Sequence, residues 1–533
     1  MTHEFNLTAT TSLLAIIAYA RAGAVDHACR LFLEGGFELV NDDPAVLSVR
    51  GRLLKDRALA AEGAERRRLY LEAAGAYARA AELGGATYPL VNAATLFLLA
   101  GRKEQSRALA AKLLERTRGG GDEMETPYYR GATEAEALLL LGKTAQARAV
   151  LARAVALAPK AYEDHASTLR QFELILDELG KEDAWLDTFR PPRSLHFAGN
   201  MAVAPDSEAV RRRVRAHIAK ERIGTGYGAL AAGADIVIAQ ALLEEGAELH
   251  LILPMPRGRF REHSVAAFGS DWATKFDRIV ERAASVRAIA GAPDLVLPLA
   301  IQLAAEVAMG SAVMQASALM TEAVQLLILD KSAGRGSGVT GWISDHWKKT
   351  GRRQISVTAP RLRGRAADAL RPAPSARLAA MLRIDLSDAD VDRLSNVILP
   401  RLAAALARRP KPLVPPRWTG EALLIAYPTT TAAATAAAAA SAALADVFGA
   451  RIAGHYACVG QGDDAFNGKP FLAGSATRLL AQIARSVPPG AIHLSEDFAA
   501  ALHAGAGHPR TEFIGDLPTE GHDDPIRLFS LKP

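Results

Sequence analysis

The chain has 533 residues and a formal net charge of +5, too long for one hydrophobic core, so about three units are expected. Half of it is apolar but only 6% is aromatic, the surplus being Ala and Leu, which favours helices packed through small side chains. Two cysteines, Cys29 and Cys458, exclude a disulfide framework and a C-x-x-C metal site and suit a reducing cytoplasm, while basic clusters as short as Arg211 to Arg213, Lys348 to Arg353 and Arg408 to Lys411, without interleaved aromatics, argue against a nucleic-acid partner.

At the N-terminus no basic leader is seen, and Arg21 interrupts the apolar stretch from Leu13 to Ala20, so no signal peptide is expected. Three later stretches share one pattern: an apolar helix, a turn at Gly, a small residue five positions on, and an apolar residue three further. They are AYARAGAVDHACRLF around Gly23, FLLAGRKEQSRALAAKLL around Gly101 and LLLLGKTAQARAVLARAV around Gly142. The small residues Ala28, Ser106 and Ala147 let a second helix lie close to the first. Residues 1–190 are thus read as all-α helical hairpins, with a further unit near Leu69 to Leu83. They resemble tetratricopeptide repeats, whose period is about 34 residues. That resemblance implies a concave face for a protein partner, the alternative being a structural cap for the next domain.

Beyond Arg190-Pro191-Pro192-Arg193 apolar strands alternate with helices over 191–362, which predicts a parallel α/β sheet covered on both faces. The apolar run from Leu295 to Met314 contains Gln302 and Glu306, so no membrane span is expected there. In such sheets ligands settle at the carboxyl ends of the strands, here Gly199 and Asn200, the segment Gly224 to Gly233, Pro254 and Asp330. Gly224, Gly226 and Gly228 are expected to bring backbone N–H groups to an anion, with a helix N-terminus following at Gly233 and Asp235; close packing is the competing use of such glycines. GYGALAAGADIVIAQALLEEGAELHLILP, with REHSV and WATKF after it, resembles the SLOG-type Rossmannoid domains fused to bacterial cyclase-like and repeat modules. The resemblance implies a Rossmann-like fold that binds or processes a nucleotide-derived ligand. Where it implies an acidic residue and a His, this chain has Gln240 and Asn200, which points to sensing over catalysis.

The Pro- and Arg-rich stretch at 363–375 reads as a linker, and 376–533 as a ferredoxin-like α/β domain. RIAGHY from Arg451, P-P-G-x-I-x-x-S-E ending at Glu496 and the closing GDL…DPIRLFSL resemble class III adenylate and guanylate cyclases. Cyclase chemistry needs two carboxylates holding divalent metal, Mg²⁺ or Mn²⁺. The resemblance places these at Asp385 and Glu421, the latter where an Asp is usual. Alternatively, Asp385 could serve only the dipole of the following helix and Glu421 be an ordinary turn carboxylate. The family's ribose-positioning Asn and phosphate-binding Arg fall on Arg478 and Gln482, and Gln lacks the cationic fork a phosphate needs. Base selection is altered as well, with Arg417 at the usual Lys position and Phe471 where a polar residue contacts the purine. The resemblance also implies a site completed across a homodimer or heterodimer. These readings predict a signalling protein whose cyclase-like domain is impaired and serves nucleotide sensing or dimerisation. The alternatives are an active or heterodimer-complemented cyclase, or a nucleotide-processing SLOG-type enzyme.

Overall fold

The computed structural model describes residues 12–119, 126–203, 208–289, 298–330, 338–360, 375–386, 390–407, 410–447, 449–507, 509–519 and 525–532. The chain divides into two compact units, Met1–Pro191 and Pro192–Pro533.

The first unit is helical throughout its described residues: α1 Leu13–Arg21, α2 Val25–Glu34, α3 Pro44–Ala60, α4 Gly63–Gly84, α5 Thr87–Leu99, α6 Lys103–Arg118, α7 Pro127–Leu140, α8 Thr144–Leu157 and α9 Tyr162–Leu179. The three Gly turns of the sequence pattern fold alike. Gly23, Gly101 and Gly142 take φ of +83°, +77° and +79°, a left-handed conformation that Gly adopts without a Cβ clash. The next amide then reaches back to close the helix end: Ala24 to Tyr19 O, Arg102 to Phe97 O, and Lys143 to Leu138 O. Ala28, Ser106 and Ala147 are fully buried where paired helices meet. The α3–α4 hairpin lacks this turn; its close approach comes instead from Gly51, where a Cβ would lie 2.7 Å from the Tyr77 ring.

The second unit holds two sheets. The first runs β1 Arg193–Gly199, α10 Glu208–Lys220, β2 Ile223–Gly228, α11 Ala234–Glu244, β3 Glu248–Leu253, α12 Arg257–Ser264, α13 Ser270–Arg282, β4 Ser285–Ala288, α14 Pro298–Ala318, β5 Ala323–Leu329, α15 Gly338–Lys348 and β6 Gln354–Thr358. Its six strands are ordered β4-β3-β2-β1-β5-β6 and all pair parallel. Leu195, Phe197, Leu249, Leu251, Val324 and Leu326 face α10, α11 and α13. Side chains of opposite parity, Tyr227, Ile252 and Leu327, face α14 and α15, as strand alternation requires.

The second sheet runs β7 Ala376–Asp385, α16 Val391–Arg393, α17 Leu399–Ala407, β8 Arg417–Trp418, β9 Ala422–Tyr427, α18 Thr430–Ala443, β10 Arg451–Asp463, β11 Pro470–Ala473, α19 Ser475–Ser486, β12 Ile492–Ser495, α20 Glu496–Ala504, β13 Arg510–Leu517 and β14 Ile526–Lys532. Its order is β13-β14-β12-β10-β7-β9-β8, with β11 hairpinned onto β10. The stretch expected to be a linker lies, Ser375 apart, outside the described residues.

The two sheets do not form separate cores. Helix α14 packs on β1, β2, β3 and β5 with one side and on α20, β7 and β10 with the other. One apolar cluster therefore runs from Tyr227 and Ile252 through Ala300, Leu303, Val307 and Ala312 to Leu382, Tyr427 and Phe498. Among the described residues α14 is the one helix long and apolar enough to cross a membrane, and 56% of its apolar window is buried inside the protein. Such a helix is apolar all round because protein surrounds it.

Candidate functional site

The site expected in the parallel layer is built differently from the sequence reading. Gly224, Gly226 and Gly228 belong to strand β2, with Gly226 registered to both β1 and β3 and Gly228, the last residue of the strand, to β3, so they stand in a strand and not in a loop. Their missing side chains make room for neighbours: a Cβ would come within 2.6 Å of Pro192 at Gly224, 2.4 Å of Leu242 at Gly226 and 2.6 Å of the Phe197 carbonyl oxygen at Gly228. Because the obstacle at Gly228 is backbone, Gly228→Ala is expected to cost about 2 kcal/mol, read as a lower unfolding midpoint in urea with no nucleotide present.

The edge where strand order reverses, between β1 and β5, does bring Asn200, Gly233 and Asp330 together. The Asn200 side-chain oxygen accepts from the Asp330 amide at 2.8 Å, and its carbonyl accepts from the Ala234 amide at 3.2 Å. Met201 bridges to Gly233, whose φ is +115° and where a Cβ would sit 2.7 Å from the Ala202 nitrogen. The N-terminus of α11 is thus covered by the chain's own 200–202 segment. Asp235 accepts from the Ala231 amide at 3.1 Å, and burial pushes its carboxyl up to about 7. Gly199 packs directly on Ala234 and Ile328. Pro254 follows β3 on the same sheet edge.

The second sheet assembles the two expected carboxylates. In the β7–β9 ladder Asp385 pairs with Ala422, and the hairpin before it turns at Gly420 with φ +89°, so Glu421 stands beside the end of β7. The Leu386 amide donates to the Glu421 carbonyl at 2.9 Å. A guanidinium lies between the two acids: Arg383 Nη2 is 2.8 Å from Glu421 Oε1 and 3.5 Å from Asp385 Oδ2. Arg383 precedes Asp385 by two residues, so both point to one face of β7. Arg451 of β10 stands opposite Asp385 in the neighbouring ladder. Divalent cations need carboxylate oxygens free of competing cations, and here the Arg383 guanidinium stands beside one oxygen of each acid. The residues do not fit the two-metal centre that the cyclase resemblance implies.

The other expected groups lie elsewhere on the sheet. Phe471 of β11 faces Gly462 on β10, eleven residues along that strand from Arg451, the neighbour of Asp385. At about 3.3 Å per residue this is roughly 35 Å of strand, so one chain cannot bring Phe471 and Asp385 to one ligand. Arg478 and Gln482 sit a turn apart on α19. Arg478 is exposed, and Gln482 Oε1 is buried without a partner. Arg417 is exposed at the start of β8, paired with Leu424.

Sequence reasoning missed the polar groups where the layers join. Glu306 of α14 accepts from the Tyr456 hydroxyl of β10 at 3.0 Å. Arg287 of β4 holds Asp497 at 2.8 Å and Glu496 at 3.4 Å. Tyr456 and Glu496 belong to the very motifs quoted for the cyclase resemblance, and here they bind the parallel layer. The signal for Glu306 was present, since Gln302 and Glu306 are the polar pair one helical turn apart in an otherwise apolar run.

Residues 8–97 match the family described as Tetratricopeptide Repeats-Sensor. No curated protein matches the chain. Among solved structures, part of the chain is similar to the adenylyl cyclase CyaB from P. aeruginosa, at 12% identity over 30% of this chain and 95% of that one, TM-score 0.25. It is also similar to an adenylate/guanylate cyclase/hydrolase from Silicibacter pomeroyi, at 22% identity over 30% and 98%, TM-score 0.23. A third is the guanylate cyclase domain of RhGC from Catenaria anguillulae, at 14% identity over 29% and 96%, TM-score 0.25.

Proposed function

We propose that this is a signalling protein in which a cyclase-homology domain has exchanged its metal centre for an arginine and serves nucleotide sensing or dimerisation, while the helical repeats recruit a protein partner. The observation that carries this reading is Arg383, whose guanidinium bridges Asp385 and Glu421. With an internal cation in that position, a polyphosphate finds neither the metal that would neutralise it nor free carboxylates to bind one. Gln482, at the position of the phosphate-binding Arg, removes the second source of positive charge. The parallel layer, with Asn200 and Asp330 at its order-reversal edge, fits a Rossmann-like SLOG domain used for ligand sensing.

Purified protein with ATP or GTP and Mn²⁺ is expected to yield no cyclic nucleotide above the enzyme-free level by chromatography. Robust product that disappears in Asp385→Ala would overturn the reading. Arg383→Ser frees both acids, so Mn²⁺ affinity by calorimetry should rise about tenfold or more over the parent. Equal affinity in the two proteins would show that Arg383 does not block the site. The roughly 35 Å between Asp385 and Phe471 along the strand leaves a second reading, complementation across two different chains. Product formed only on mixing with a cyclase domain that supplies the Asn and Arg would favour it.

A further inference from the structure

A cleft of about 600 Å³ opens where α14 and α15 of the parallel layer meet β7 and β10 of the second sheet. Its polar groups are few and come from both layers. Gln302 and Glu306 project from α14, Trp342 and His346 from α15, Tyr456 from β10, and Arg377 from the start of β7. Leu299 and Leu378 supply aliphatic wall. The volume lies in the range of small-molecule sites, and a mostly apolar lining with a few convergent polar groups is their usual composition.

Each group limits what can bind. Glu306 Oε2 accepts from the Tyr456 hydroxyl at 3.0 Å; among the described residues that is the one hydrogen bond made to this carboxyl. Once ionised, above about pH 7, the carboxylate has two oxygens and about four lone-pair directions, so acceptor capacity remains for donors from a ligand. Two adjacent N–H donors on a rigid planar molecule suit it best, because both bonds form at once. Trp342 gives the cleft an aromatic face, held by His346 with ring centroids 4.9 Å apart, and flat π-systems stack on such faces. Arg377 is exposed at the rim, its guanidinium donating to the Ala376 carbonyl at 2.8 Å.

We propose that this cleft binds a flat heteroaromatic ligand with a paired N–H edge, such as a guanine, its edge on Glu306 and its ring on Trp342. The site is distinct from the cyclase-type cleft. Leu378 and Tyr456 lie on the sheet face that packs against α14, whereas Arg383 and Asp385 have the opposite parity on β7, as does Arg377 at the exposed start of the strand. The proposal therefore stands whether or not the cyclase-like reading holds.

Full-length protein titrated with GMP, with UMP as the comparison, should show saturable binding at least tenfold tighter for GMP. Glu306→Gln, which replaces one acceptor oxygen by a donor, and Trp342→Leu, a change at the cleft wall, should each weaken GMP at least tenfold. Melting curves will show that both variants are folded. Arg383→Ser and Arg478→Ala should leave GMP affinity within twofold. The proposal is overturned by no saturable binding at millimolar GMP, by equal affinity for UMP, or by binding that survives both cleft variants. Binding lost in Arg478→Ala alone would place the ligand in the cyclase-type cleft and also overturn it, without touching the prediction on Arg383 and metal.

Discussion

Gly310→Ala should be among the most damaging single-methyl changes available in this protein. Gly310 lies midway along α14, against α20. A Cβ built there would sit 1.5 Å from the Ala500 carbonyl oxygen and 2.2 Å from its carbon. No side chain can rotate away, because the obstacle is backbone, so the two helices must part along their length. The neighbouring contacts are with small residues, Ala499, Ala500 and Ala501 against Ala304, Val307 and Ala308. Parting them exposes a seam to which each side chain contributes little alone but which closes one continuous core. Overpacking of a tight core costs about 1–3 kcal/mol and sometimes more; with backbone in the way we expect about 3 kcal/mol or greater. For a unit of this size that is a fall of roughly 4 °C in melting temperature. Gly258→Ala, in α12, where nothing lies within 4 Å of the added carbon, is the matched control and should be neutral or slightly stabilising. An unchanged melting temperature for Gly310→Ala would mean that α14 and α20 are not packed backbone to backbone.

That seam is also where sequence reading stops being informative. Alternating strands and helices over 191–360 are legible because each strand is a short apolar run bounded by turn residues. Helix α14 has no such signature: protein surrounds it, its apolar residues show no single face, and its role as a wall shared by two sheets is a property of the assembled fold. The glycines of β2 mislead for the opposite reason. Gly is depleted from strands by propensity, so G-T-G-Y-G reads as a strand running into a Gly-rich, anion-binding loop. In the fold, Pro192, Leu242 and Phe197 crowd three alternate positions of one strand, and only the neighbours reveal it.

The carboxylate pair was more legible than its occupant. Asp385 at the end of a strand and Glu421 in the turn of a hairpin converge because β7 and β9 pair antiparallel in the register the apolar pattern sets. Arg383 could have been read as well, since two residues back along a strand is the same face. Which cation a pair of acids holds depends on the reach of a flexible side chain, and spacing alone does not state that.

Glu306 should make the protein's stability depend on pH with a sign that one substitution isolates. Burial between the layers raises its carboxyl from 4.5 to about 7, against the lowering effect of the Tyr456 hydroxyl bond. In the unfolded chain the same group titrates near its ordinary value. Below about pH 4.5 both states are protonated and the folded protein bears no cost for this residue. Between 4.5 and 7 the unfolded state releases its proton while the folded state keeps it, so stability falls as pH rises. Above about 7 the loss is complete, at roughly 3 kcal/mol, because each tenfold difference in proton affinity between the two states is worth about 1.4 kcal/mol. Asp235, raised from 3.8 to about 7 by burial, adds a loss of the same sign. His196, lowered to about 3 by burial beside Gln325 and Trp347, acts oppositely, favouring unfolding as pH falls below about 6.5. The whole-protein profile therefore blends opposing slopes, and the residue is read by difference. Glu306→Gln keeps the shape and removes the titration, so its unfolding free energy relative to the parent should rise by roughly 3 kcal/mol between pH 4.5 and pH 8, measured by urea unfolding at each pH. A difference independent of pH would mean that Glu306 is ionised in the folded protein, with water or a cation reaching it through the cleft.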